Sequence, residues 1–213
     1  MAIIFDELLT KGVRTGQIPS RTQDAREWYR NAAKNYGSSV RKSGTREGRT
    51  DFAKINEKKF IGAEPQRLVN TLEPGSMYMF MYDPKWKETL PFYDKFPLIF
   101  PFKVESDRFM GINLHYLPLQ FRAKLMDSLY TTKNNNRYDE STKLRISYDI
   151  LKGAAKFRYF EPCIKQYLFK QMQSKFMYVY PSEWDMALFL PLERFEKASK
   201  AQVWSATRKQ VGR

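Results

Sequence analysis

Met77-Tyr78-Met79-Phe80-Met81-Tyr82 alternates methionine with aromatic rings. Successive side chains of a strand leave opposite faces, so one face here carries methionines and the other carries rings. Neither face is polar, which predicts a strand covered on both sides and packed within a core. Asp83-Pro84-Lys85 follows as a turn. Residues 96–104 form a second extended passage, in which Pro97 and Pro101 predict an edge position or a neighbouring bulge. Glu105-Ser106-Asp107-Arg108 turns the chain back into a third passage, 109–116, which carries Gly111. Three strands with short turns predict a small antiparallel meander, an SH3-like sheet being one form of it.

Helical patterns surround this meander, so the fold class expected is α+β, a small antiparallel sheet wrapped by helices. Toward the C-terminus, Pro118 stands near the first turn of a helix with Phe121, Leu125 and Leu129 on one stripe. Residues 131–136 read as a polar loop. Asp139 or Ser141 caps a segment bearing Ile146, Ile150, Leu151 and Ala154, and Pro162 opens another with Ile164, Leu168 and Met172. A short strand is expected at 177–180. Ser182 with Asp185 has capping-box spacing, and Pro191 opens a final helix whose apolar residues thin out. Toward the N-terminus, Ile4 with Leu8 and Phe5 with Leu9 mark a short amphipathic helix broken by Gly12, Gly16 and Pro19. Ser20 and Gln23 open a second helix, closed by Gly37. Residues 37–50 contain one aliphatic side chain, Val40, and predict a mobile basic linker. Residues 51–72 are ambiguous, with a short helix at 52–60 as one reading. No solenoid repeat is visible.

The charge is unevenly distributed. The 213 residues carry 37 Lys and Arg against 23 Asp and Glu, a formal net of +14. Residues 1–72 hold 14 basic and 8 acidic side chains, residues 73–193 hold 17 and 14, and residues 194–213 hold 6 and 1. This predicts a basic helical arm and linker (1–72), an α+β body (73–193) and a basic C-terminal helix or tail (194–213). Clustered cations of this kind attract polyanions and displace their counterions on contact. The expected contacts are Arg41, Lys42, Arg46 and Arg49 in the linker, with Lys197, Lys200, Arg208 and Lys209 at the C-terminal end. The bland alternative is a solvated charge run that keeps the chain dissolved. No zinc finger, helix-turn-helix or basic zipper pattern is present, so sequence readout is not indicated.

Signals for chemistry are weaker. His115 is the one histidine and Cys163 the one cysteine, which excludes an internal disulfide, a two-histidine metal site and a cysteine-rich metal cluster. His115 lies among Leu114, Tyr116 and Leu117 and reads as a packed structural histidine, and Cys163 as a small buried hydrophobe. Asp83-x-Lys85 with Glu73 upstream has the residue types of a metal-dependent nuclease, although Asp-Pro-Lys is a turn signal first. Tyr78, Phe80 and Tyr82 could stack on exposed bases, but the apolar alternation favours packing. No catalytic residue, metal or cofactor is expected. Acids at Asp6 and Glu7 do not resemble a signal peptide, and no apolar run reaches membrane-spanning length. A lone cysteine fits a reducing compartment.

Several blocks together resemble one family of phage proteins. They are the 77–85 stretch, Leu90-Pro91-Phe92-Tyr93-Asp94-Lys95-Phe96-Pro97-Leu98-Ile99-Phe100-Pro101, Gly111-Ile112-Asn113-Leu114-His115-Tyr116-Leu117-Pro118, Ile146-Ser147-Tyr148-Asp149-Ile150-Leu151, Glu183-Trp184-Asp185 and Leu190-Pro191-Leu192-Glu193-Arg194-Phe195. In these blocks the chain resembles structural proteins of large contractile-tailed phages, and among them the DNA end protector family of T-even-like phages. The resemblance covers most of 74–199 and the extreme N-terminus. It implies a minor virion protein, made in the host cytoplasm, that binds the ends of packaged linear duplex DNA without sequence preference. It also implies contacts with other virion proteins at the portal or neck, and no membrane. A neck, tail or baseplate subunit without DNA contact would look similar.

Overall fold

The alternation at 77–82 divides its side chains between two cores. A computed structural model of the protein describes residues 4–17, 22–42, 65–133, 137–154 and 160–211. In it Met77 and Met79 enter a large core shared with the helices, whereas Tyr78, Phe80 and Tyr82 enter a smaller aromatic one. The strands are β1 (Leu68–Val69), β2 (Met77–Met79), β3 (Tyr93–Asp94), β4 (Leu98–Val104), β5 (Arg108–Asn113), β6 (Ile164–Leu168), β7 (Phe176–Val179) and β8 (Phe195–Glu196). Six of them form an antiparallel sheet in the order β1-β7-β2-β4-β5-β6, and β3 pairs separately with β8.

The expected meander, β2-β4-β5, is the centre of this sheet. β4 is an interior strand, and its proline sits at a bulge: Pro101 faces Gly111, but the next pair is Lys103 with Met110. A Cβ on Gly111 would lie 2.9 Å from the carbonyl oxygen of Phe100, so only glycine lets the strands approach this closely. The sheet is strongly curled. Phe109 of β5 and Phe176 of β7 are separated by β2 and β4, yet their ring centroids are 5.6 Å apart. Flat strands at about 4.8 Å spacing would hold them about 14 Å apart. Phe80 plugs the concave side, edge-on to Tyr167 at 5.2 Å and Phe176 at 5.3 Å.

Helices cover the other face: α1 (Ile4–Arg14), α2 (Gln23–Lys42), α3 (Leu119–Lys133), α4 (Glu140–Ala154), α5 (Trp184–Phe189) and α6 (Lys200–Val211). Trp184 is the largest buried side chain; its indole donates to the Val179 carbonyl at 3.0 Å and meets the Phe100 ring edge-on at 5.0 Å. Ile4, Phe5, Leu8, Tyr29 and Ala33 share this core, so α1 and α2 pack into the body. The fold is α+β.

Several local expectations need correction. α2 continues through Gly37 to Lys42, into the stretch read as linker. Gly37 is there for contact, since a Cβ would stand 2.8 Å from the Pro191 ring. Gly12 likewise lies within α1, against Tyr29, and Gly16 at φ +75° ends that turn. Thr22 caps α2, its hydroxyl accepting from the Ala25 N–H at 3.1 Å. Ser20 and the helix considered at 52–60 lie outside the described residues. α3 runs on to Lys133, past Thr131 and Thr132. Residues 164–168 are a strand, because their backbone pairs with β5. The chain after Pro191 stays extended through β8, and α6 begins only at Lys200 behind a box in which Ser199 and Gln202 bond reciprocally. Asp139 does cap α4, accepting from the Thr142 N–H at 2.7 Å.

Candidate nucleic-acid interface

The interior absorbs little of the excess charge. Among the described residues, buried Arg30, Arg67 and Arg122 stand against buried Asp94, Glu183 and Asp185. Arg67 grips Glu183 with two parallel bonds, at 2.5 and 2.7 Å, while its guanidinium lies 4.3 Å from the centre of the Tyr180 ring. Arg30 donates to Asp185 at 2.6 Å and, with Arg26, to Asp127 at 2.9 Å, tying α2 to α5 and α3. Arg122 donates to the carbonyls of Leu117 and Leu188 at 2.7 Å and of His115 at 3.1 Å. Buried cations and anions nearly cancel, so among the described residues the excess of positive charge lies at the surface.

The eight cations expected as contacts separate into groups. Arg41 and Lys42 end α2, with side chains outside the description, and Arg46 and Arg49 lie outside the described residues. Arg208 and Lys209 are exposed on the last turn of α6. Lys200 donates to Glu193 at 2.9 Å and lies over Trp204. Lys197, in a left-handed backbone conformation at φ 66°, donates to the carbonyls of Lys87, Glu88 and Leu90 at 2.6, 2.9 and 3.3 Å. The structure thus engages Lys197 and Lys200 within the chain.

The loop that Lys197 anchors is the lip of a cavity of about 350 Å³ between residues 82–94 and strand β6. Trp86, Phe92, Tyr93 and Tyr116 line it together with Lys85, Lys165 and the carboxylate of Asp94. Trp86 is 62% exposed, unusual for a tryptophan, with the Lys85 ammonium 4.8 Å from its ring centre. Lys165 is half-buried with its ammonium 4.1 Å from the Tyr116 ring centre. Burial pulls its pKa below the ordinary lysine value. Among the described residues no carboxylate lies within ion-pair distance of Lys165. Sequence reading missed this cavity, since its residues come from separate stretches of chain.

A buried polar knot lies beneath. Asp94 accepts from the N–H groups of Phe96 and Arg194 at 3.1 Å and from the Asn113 amide at 3.2 Å, and meets His115 Nδ1 at 2.7 Å. Burial raises its carboxyl pKa, but His115 and these donors overcome that and hold it below the ordinary value. The second imidazole nitrogen has no hydrogen-bond partner among the described residues. Cys163 is buried, and burial pushes its thiol up to about 12, far from a reactive thiolate. Asp83 pairs with Lys87 at 2.9 Å, so the acid of the Asp-Pro-Lys spacing serves the turn that shapes the cavity lip. Among the described residues no three His, Cys, Asp or Glu side chains gather as metal ligands, and no helix is long and apolar enough to cross a membrane.

A family model described as phage T4 terminal DNA protecting protein matches residues 20–211. No curated protein and no solved structure gives a significant match.

Proposed function

The chain belongs to the phage T4 terminal DNA protecting protein family, and on that footing we propose that it binds the ends of packaged linear duplex DNA as a non-enzymatic virion protein. The observation that carries this reading is the family match, which spans the sheet, the cavity and every helix and strand after α1. Its place is the head–tail vertex, where it covers the ends against exonuclease and helps complete the head. Surface charge supports the reading, because a DNA end offers dense phosphate without a fixed sequence. Arg41, Lys42, Arg46, Arg49, Arg208 and Lys209 are the proposed phosphate contacts. Lys197 and Lys200 support the fold next to them.

A salt-titrated filter-binding assay tests this with a linear duplex and the same sequence closed by a hairpin at each end. Tighter binding of the open duplex is expected. Equal affinity for both would overturn end protection in favour of a general DNA contact, and no binding near physiological salt would overturn it in favour of an assembly subunit that meets only protein. Nucleotide release in magnesium, abolished by Asp83→Ala, would show a nuclease instead.

A further inference from the structure

The cavity beside β6 has the chemistry of a nucleotide site, and we propose that it holds the terminal nucleotide of the DNA, the base against Trp86 and its aromatic neighbours and a phosphate at Lys165 and Lys85. This deepens the DNA-end reading and rests on it. Three observations converge. First, its volume of about 350 Å³ lies at the small end of the range for small-ligand sites, about 300–1,000 Å³. It has room for one base with its phosphate and none for a duplex.

Second, the cavity combines rings with cations. Base–aromatic stacking tolerates any base, because every base presents a π-face. Trp86 leaves 62% of its surface in solvent at the rim, where a base can cover it. Third, Lys165 is a partly desolvated ammonium whose near neighbour is the Tyr116 ring. Among the described residues no carboxylate pairs with Lys165, and Asp94, which also lines the cavity, is already bonded to His115 and Asn113, so an entering phosphate would supply the missing counter-charge.

This pocket would also explain how an end is chosen without sequence. A base inside a duplex must break two stacking contacts and its pairing to leave the helix, whereas a terminal base has one stacking neighbour and leaves most easily. A pocket that accepts one unstacked nucleotide therefore selects ends over interior positions for any sequence. The lip is held for this task by Lys197 through the carbonyls of Lys87, Glu88 and Leu90.

The test compares wild type, Trp86→Ala and Lys165→Gln by fluorescence anisotropy. The probes are a short blunt duplex with 5′-phosphates and a dumbbell of the same sequence with both ends closed. Each variant should lose about tenfold in affinity for the open duplex, the scale of one stacking or charge contact, and keep wild-type affinity for the dumbbell. Trp86 is mostly exposed, so its replacement leaves the core intact even if Lys165→Gln disturbs the sheet. If wild type prefers the open duplex and Trp86→Ala keeps that preference, the pocket assignment fails and end protection stands. If wild type binds both probes equally, end protection fails and the pocket assignment with it. Equal losses on both probes would mark a general phosphate contact and also overturn the pocket.

Discussion

Glu193 shows how a single surface-type residue becomes structural. Its carboxylate is buried, which raises its pKa, but Arg122, then Lys200 and His115, overcome this and hold it at about 2 against an ordinary glutamate value of 4.5. A group depressed on folding stabilises the native state above its unfolded pKa and loses that contribution as the pH falls through the folded value. Glu193→Gln should therefore destabilise the protein at neutral pH. Its difference from wild type should shrink between pH 4.5 and about 2, as followed by urea denaturation at a series of pH values. A difference independent of pH would mean that the side chain acts by shape alone. Arg122 illustrates the same limit on local reading: it lies among Phe121, Leu125 and Leu129 of the predicted apolar stripe, yet is buried and bonded to three carbonyls. Nothing in its neighbours marks it as different from an exposed arginine.

Helix glycines separate propensity from packing at the scale of elements. Replacing a helix-interior glycine by alanine favours the helix by roughly 0.5–1 kcal/mol where the new methyl is unobstructed. Among the described residues, nothing lies within 4 Å of where a Cβ on Gly153 of α4 would stand. Gly153→Ala should therefore raise stability by about that amount. Gly37, in α2, has the Pro191 ring 2.8 Å from the same position. Gly37→Ala should instead lower stability, by about 1–3 kcal/mol, because the α2–Pro191 contact must open. Thermal unfolding of the two variants side by side checks the contrast, and a gain at both positions would show that α2 has slack against Pro191. Element type was partly legible. The meander and the bulge at Pro101 followed from alternation and proline chemistry. Strand β6 did not, because Ile164 and Leu168 are four residues apart, a spacing shared by one face of a helix and one face of a strand.

For the whole molecule, affinity for DNA should be dominated by counterion release. If about six phosphates are neutralised, the logarithm of the binding constant should fall with the logarithm of salt concentration at a slope near −5. Replacing Arg41, Lys42, Arg46 and Arg49 together by Ser should flatten that slope and weaken binding to open and closed duplexes alike, with the unfolding curve unchanged. An unaltered slope would move the phosphate contacts to the α6 side. This differs from the loss specific to open ends expected when Trp86 is removed. Composition, alternation and caps are local properties, so the chain alone determined the α+β class, the central meander, the cation excess and the family resemblance. Ion pairing and cavity formation join distant residues: Arg67 meets Glu183 across 116 positions and Arg30 meets Asp185 across 155. Only the tertiary structure could decide which arginines neutralise buried acids, which lysines stay available, and that Trp86 and Lys165 border one cavity. The physical reason is that burial and pairing energies depend on what surrounds a charge in space, which no window of neighbouring residues contains.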